Sequence, residues 1–200
     1  MKSFFSLFSE SAENLKNIRT IAVTGVLMAL AIVLRFIAVP ITPDIRISFA
    51  FLGTILIAML YGPVVAALGA LGVDLIGYIL DGAKMRDYNL LLALTVILSG
   101  IICGVLTYHR KSEKSMIVWA CIARLIDMFV NNLCFKSMIL YGSYVNSDFP
   151  FKGGWDGFFT WCLPRLISES IQAPIDIVLI VLAVPAIIKA YKAVFHKNLA

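Results

Sequence analysis

The feature that most constrains this chain is a succession of long apolar runs that fill most of residues 20–190, broken only by short polar segments. Hydrocarbon offers a backbone amide no hydrogen-bond partner, so a chain that crosses it must be helical or close into a barrel. Barrel strands alternate apolar and polar residues, and these runs do not alternate. Composition agrees: 60% of the residues are hydrophobic and 14% charged, where soluble domains are nearer half and a quarter. The expectation is an all-α membrane protein, multi-pass in the cell membrane.

At about 20 residues per crossing, the runs divide into a six-transmembrane-helix bundle with segments near 20–39, 48–61, 63–80, 89–108, 115–141 and 159–189. The second is short and is expected to pair tightly with the third across Gly62 and Pro63, because proline suits the first turn of a helix, where its missing N–H is not needed. Residues 1–19 are amphipathic, carry Lys2, Glu10, Glu13 and Lys16, and lack the cleavage site of a secretory signal. They read as a helix on the membrane surface, residues 20–190 as one six-helix membrane domain, and residues 191–200 as a cytoplasmic tail.

With six crossings, Lys2, Lys16, Arg19, Arg110, Lys111, Lys114, Lys189, Lys192 and Lys197 fall on one side. Arg46, Lys84, Arg86 and Lys152 fall on the other, among acidic residues. An excess of Lys and Arg marks the cytoplasmic side, so the N- and C-termini are expected to be cytoplasmic and the loops 40–47, 81–88 and 142–157 external. The net charge of +5 then reads as attraction to anionic membrane lipid, not to nucleic acid.

A charge near the bilayer centre costs about 2.5–3.5 kcal/mol on insertion scales, so each one needs a partner or a role. Eight stand inside the apolar runs: Arg35, Asp74, Arg124, Asp127, Lys136, Arg165, Glu169 and Asp176. Arg165, Glu169, Gln172 and Asp176 recur at helical spacing and form one polar stripe, as do Arg124, Asp127 and Asn131. By depth, Arg35, Asp74, Tyr78, Asn131, Asn132, Lys136, Arg165 and Glu169 lie in the outer half and are candidates to surround a cavity open to the outside. Arg124, Asp127 and Asp176 lie deeper and read as structural pairs. The competing readings are that the outer charges only fix helix register, or that Arg35 and Lys136 snorkel to the interface.

Trp155, Trp161, Phe49 and Phe51 offer faces for a planar ligand; they equally suit an interfacial aromatic belt, the preferred reading for Trp161. Gly25 and Ala29, four apart on the cytoplasmic half of the first segment, form a small surface on which a partner helix can pack. The small residues of the third segment, Ala66, Gly69, Ala70, Gly72 and Gly77, are expected to be internal.

The sequence has no phosphate-binding loop, so the chain does not itself power transport. Its histidines, His109 and His196, fall in cytoplasmic flanks, and its four cysteines lack ligand spacing, so no metal, cofactor or nucleophilic constellation is expected. Inverted halves with interrupted helices are also missing. Binding of a small solute within the bilayer remains, ahead of an intramembrane enzyme built on Glu169 and Asp74 or a purely structural membrane protein.

Several segments, in order, resemble the substrate-binding S component of an energy-coupling factor (ECF) vitamin importer, particularly the folate-specific branch. They are Ala29-Leu-Ala-Ile-Val-Leu-Arg35, Ile47-Ser-Phe-Ala-Phe-Leu52, Tyr61-Gly-Pro-Val-Val-Ala-Ala67, Asp74-Leu-Ile-Gly-Tyr78, the run from Asn132 to Leu140-Tyr-Gly142, Leu163-Pro-Arg-Leu-Ile167 and Ala173-Pro-Ile175. The resemblance implies a six-helix fold with cytoplasmic termini and a vitamin pocket beneath the outer loops. It also implies partnership with a transmembrane coupling subunit and two ATPase subunits, docked through the small surface of the first segment, where Gly25 stands in place of the family's commoner alanine. The implied ligand is folate or a related vitamin, with cobalamin, pantothenate or riboflavin as alternatives. The loop 81–88 departs from the proline- and aromatic-rich segment usual in folate binders.

Overall fold

The computed structural model describes residues 4–37, 39–40, 46–80, 88–110, 112–145, 147–148 and 154–195. Parts of the expected outer loops, with Lys84, Arg86 and Lys152, lie outside these residues, as do Lys2, Lys111 and the tail from His196 onward.

The described chain is helical apart from one short ribbon. In order it forms α1 (Phe4–Asn14), α2 (Ile18–Phe36), β1 (Val39–Pro40) and β2 (Arg46–Ile47), α3 (Phe51–Tyr61), α4 (Pro63–Leu80), α5 (Leu90–Thr107), α6 (Glu113–Ile126), a π-helical stretch (Asp127–Lys136), α7 (Ser137–Tyr144) and α8 (Trp155–Phe195). The ribbon is antiparallel, with Val39 opposite Ile47 and Pro40 opposite Arg46. Helices α2, α4 and α5, the continuous helix Glu113–Ser143 and α8 over Trp155–Tyr191 are each long and apolar enough to span a bilayer. The last helix starts four residues before, and ends six residues after, the 159–189 expected from the sequence. Pro164, Pro174 and Pro185 lie within it, a tolerance usual where neighbouring helices and hydroxyl side chains satisfy freed backbone groups.

Local chemistry sets the helix starts. The Asn17 side chain accepts from the Arg19 amide at 3.0 Å, and Asn89 accepts from the Leu91 amide at 2.9 Å. Each satisfies one of the amides that a helix N-terminus leaves without an intrahelical partner.

The short helix α3 shapes the bundle. Its 11 residues rise only ~16 Å, about half of the hydrocarbon thickness, yet eight of them are buried. Its first turn abuts the middle of α2, where a Cβ on Gly53 would stand 2.9 Å from the Leu27 carbonyl oxygen. The last turn of α3, at Tyr61, reaches the end of the molecule where α1 lies. Helix α3 thus fills one half of the bundle, and the non-helical segment 48–50 precedes it. Small residues close the α4–α5 interface: a Cβ on Gly100 would stand 2.7 Å from the Ala66 carbonyl oxygen, and Gly104 lies against the backbone of Pro63. Buried Ala66, Gly69, Ala70 and Gly77 are internal as expected.

Helix α1 docks on the end of the bundle. Ser11 is fully buried; its hydroxyl donates to the Tyr61 carbonyl at 2.8 Å and accepts from the Val64 and Val65 amides at 3.0 and 3.3 Å. It therefore caps α4 from a distant part of the chain, where Gly62 has no side chain to do so and Pro63 has no N–H. Gly62 has φ +88°, and a Cβ there would meet Ser11 at 2.9 Å; both the conformation and the close approach call for glycine. Asn14 donates to the Tyr61 carbonyl and the Tyr108 hydroxyl, and Glu10 pairs with His109 at 2.6 Å. Tyr191, near the end of α8, hydrogen-bonds Tyr61. The α3–α4 turn and the described ends of α1 and α8 therefore share one end of the bundle, together with Arg19 and Arg110.

Candidate functional site

The charged residues separate into two layers, and the deeper one is closed. Arg124 of α6 donates from Nε to Asp176 of α8 at 2.9 Å and from Nη1 to Asp127 at 3.0 Å, with its guanidinium 4.4 Å from the centre of the Phe51 ring. Asn131 donates to Asp127 at 2.9 Å and to the Thr95 carbonyl at 2.8 Å; Gln172 donates to Asp176 at 3.4 Å. Arg124, Asp127, Asn131 and Asp176 are 6%, 3%, 2% and 0% exposed. This is the pairing that the stripes on the fifth and last segments imply, and it ties α6, the π-helical stretch, α5 and α8 together. Asn131, a cavity candidate by sequence depth, is held in this layer, and the ring of Phe51 is covered by Arg124.

The second layer lies toward the other end of the bundle, away from α1. At the last turn of α2, Arg35 Nη1 approaches Asp74 Oδ1 of α4 at 3.6 Å. Its guanidinium lies across Gly77, where a Cβ would stand 2.5 Å from Nη1. The Tyr88 hydroxyl donates to the other Asp74 oxygen at 2.9 Å, and its ring meets Tyr78 edge-on at 5.1 Å. Burial, the hydrogen bond to Asp74 and the carboxylate's charge push the Tyr88 phenol up to about 12, so it remains a donor at any physiological pH.

Facing this group, Lys136 ends the π-helical stretch within electrostatic reach of Arg165 and Glu169 of α8 and of Asp74 and Asp127. Lys136 stands nine residues after Asp127, which at about 3.6 residues per turn would put it on the opposite face of the helix. The wider π winding makes about two turns over that stretch and returns Lys136 to the side of Asp127. Ser137 and Cys134 donate to the carbonyls five residues back, Asn132 at 3.2 Å and Phe129 at 3.3 Å, bonds that suit this winding.

On α8, Arg165 donates to the Ser137 hydroxyl at 3.4 Å and lies 4.7 Å from the centre of the Trp161 ring. Trp161, expected in an interfacial belt, is half-buried against Tyr141 at 5.6 Å. Glu169 lies in the field of Arg124 and Lys136 and forms no ion pair within 4.0 Å among the described residues. Trp155 opens α8, 45% exposed, beside Phe158 and Phe159. Phe49 precedes α3, half-buried, its carbonyl accepting from the Leu52 amide at 3.2 Å.

The structure thus brings together Arg35 with Asp74 and Tyr78, and Lys136 with Arg165 and Glu169. Tyr88 and Ser137 join them without any periodic signal in the sequence, since a loop residue and a small hydroxyl in an apolar helix look ordinary there. Gly25 and Ala29 are elsewhere, on the outer surface of α2: a Cβ on Gly25 would meet nothing within 4 Å, and Ala29 is exposed.

Residues 19–184 match the family profile described as ECF transporter, substrate-specific component. A relative, the folate transporter FolT of Clostridium novyi (strain NT), is 26% identical over 150 residues, which cover 73% of this chain and 76% of its own. A crystal structure of FolT bound with folic acid matches with a TM-score of 0.62 at 28% identity, over 80% of this chain and 88% of that one. Set beside a multi-pass helical bundle whose charges converge within the membrane, the extent of these matches decides the assignment: the chain belongs to the substrate-specific components of ECF transporters, membrane-embedded binding subunits rather than enzymes.

Proposed function

We propose that this chain binds folate in the outer half of the bundle, between α2, α4, the π-helical stretch and α8, and delivers it to an ATP-driven ECF module. The observation that carries this reading is the convergence of Lys136 and Arg165 on one side with the Asp74 carboxylate on the other. Folate is planar and asymmetric: its glutamate end is anionic and its pterin end offers adjacent N–H donors. Lys136 and Arg165 suit the carboxylates, and Asp74, braced by Arg35, suits the N–H donors. Tyr78, Trp155 and Phe49 supply aromatic surface for the ring system, and Glu169 lies within electrostatic reach of Lys136. The similarity to FolT and to its folate-bound structure supports the same ligand.

The partners in this reading are a transmembrane coupling subunit, packed on the exposed small surface at Gly25 and Ala29, and two ATPase subunits. The end of the bundle that carries α1 and Arg19 faces the cytoplasm, as the bias of basic residues implies. Titration calorimetry on the detergent-purified chain with folate, riboflavin, pantothenate and cobalamin tests the ligand. Folate should saturate one site per chain and the others should give no binding heat; saturation by another vitamin with none by folate overturns the reading.

A further inference from the structure

Each Asp74 carboxylate oxygen has a partner, and the two partners differ in kind: Arg35 pairs with one at 3.6 Å, and the Tyr88 hydroxyl donates to the other at 2.9 Å. Arg35 carries charge and is packed in place across Gly77. Tyr88 is neutral, lies outside the spans just before the Asn89 cap of α5, and among the described residues is held by its hydroxyl contact with Asp74 and the edge of Tyr78. The Asp74 side chain is only 25% exposed, and a carboxylate so shielded is costly to leave without a donor; Tyr88 supplies that hydrogen bond.

We infer that the Tyr88 hydroxyl occupies the place on Asp74 Oδ2 that a ligand N–H takes, making Tyr88 a specificity-determining residue which the ligand displaces. This rests on the reading of Asp74 as the acceptor for an amino-substituted heterocycle. A ring that presents two adjacent N–H donors offers the carboxylate a bidentate, charge-assisted pair, which one phenol does not match. A ligand of similar shape without those donors would expel Tyr88 and leave Asp74 short of a partner, so the site rejects it. The cost falls on association, since the binding-competent state is the fraction of molecules in which Tyr88 has released Asp74.

Tyr88→Phe keeps the ring against Tyr78 and removes the competing hydroxyl. Stopped-flow fluorescence of the full chain with folate should show association faster by about tenfold, as expected if the hydroxyl holds Asp74 some nine-tenths of the time, with dissociation unchanged. Tyr88→Leu, lacking ring and hydroxyl alike, should shift association in the same direction. Unchanged or slower association in both variants overturns the inference, because Tyr88 would then brace Asp74 for the ligand. Absence of saturable folate binding by the unaltered chain would instead overturn the ligand assignment on which the inference stands.

Discussion

Arg124 and Asp176, 52 residues apart in sequence, meet at 2.9 Å in the buried middle of the bundle, with Asp127 at 3.0 Å on the same guanidinium. One cation thus serves two carboxylates on different helices, and no other described cation lies within ion-pair distance of either. Removing it strands two buried charges. Arg124→Leu should lower stability by about 3–5 kcal/mol or more, read as early thermal unfolding in detergent. Little change would mean that these carboxylates do not depend on Arg124.

The outer cations should behave in the opposite way. Arg165 has one long hydrogen bond, to Ser137 at 3.4 Å, and an aromatic face beneath it, so it is not the anchor of a buried network. Arg165→Ala should weaken folate binding by at least about tenfold, as expected for loss of a charged partner, while thermal unfolding stays close to that of the unaltered chain. Calorimetry and unfolding on the same sample decide between ligand contact and structural support.

The docking of α1 has a measurable contribution. The Ser11 hydroxyl satisfies two amides of the first turn of α4 and the last carbonyl of α3. Ser11→Ala should cost about 1–2 kcal/mol, the scale of a lost helix cap, and should loosen α1. Hydrogen exchange at Val64 and Val65 should accelerate with it; unchanged protection there would show that α1 adds nothing to the cap.

Surface and pocket should separate on α2. Ala29 is exposed, and no atom stands near a Cβ at Gly25, so Ala29→Trp adds bulk where the bundle has none to displace. It should abolish uptake and pull-down of the coupling subunit while sparing folate binding by the isolated chain, because an indole there holds a partner helix away. Surviving uptake would place the docking surface elsewhere.

The crossings, the half-length α3 with its Gly62–Pro63 turn and the deep ion pairs are all legible in the sequence, because apolar length and helical spacing of charges carry them directly. Others are legible in part or not at all. Lys136 is a candidate by depth, but α periodicity turns it away from Asp127 and π winding returns it to that side. Tyr88 lies beyond the last turn of α4, where no periodicity applies, yet holds Asp74. Ser11 belongs to a helix that reads as a membrane-surface element, and its role depends on a contact more than 50 residues distant in sequence. Trp161 shows the same limit: an aromatic residue near a helix end suits a lipid belt, and its contacts with Tyr141 and the Arg165 guanidinium emerge only in the fold.

The most direct test of folate as the ligand uses the protein as cells make it. The chain is purified in detergent from cells grown with folate, denatured, and the released small molecules are identified by absorbance and mass. With folate as the ligand, close to one equivalent per chain is expected, and less from the Arg165→Ala variant. Release of a flavin, a corrinoid or pantothenate in its place, or of no vitamin from protein that also fails to bind added folate, would contradict it.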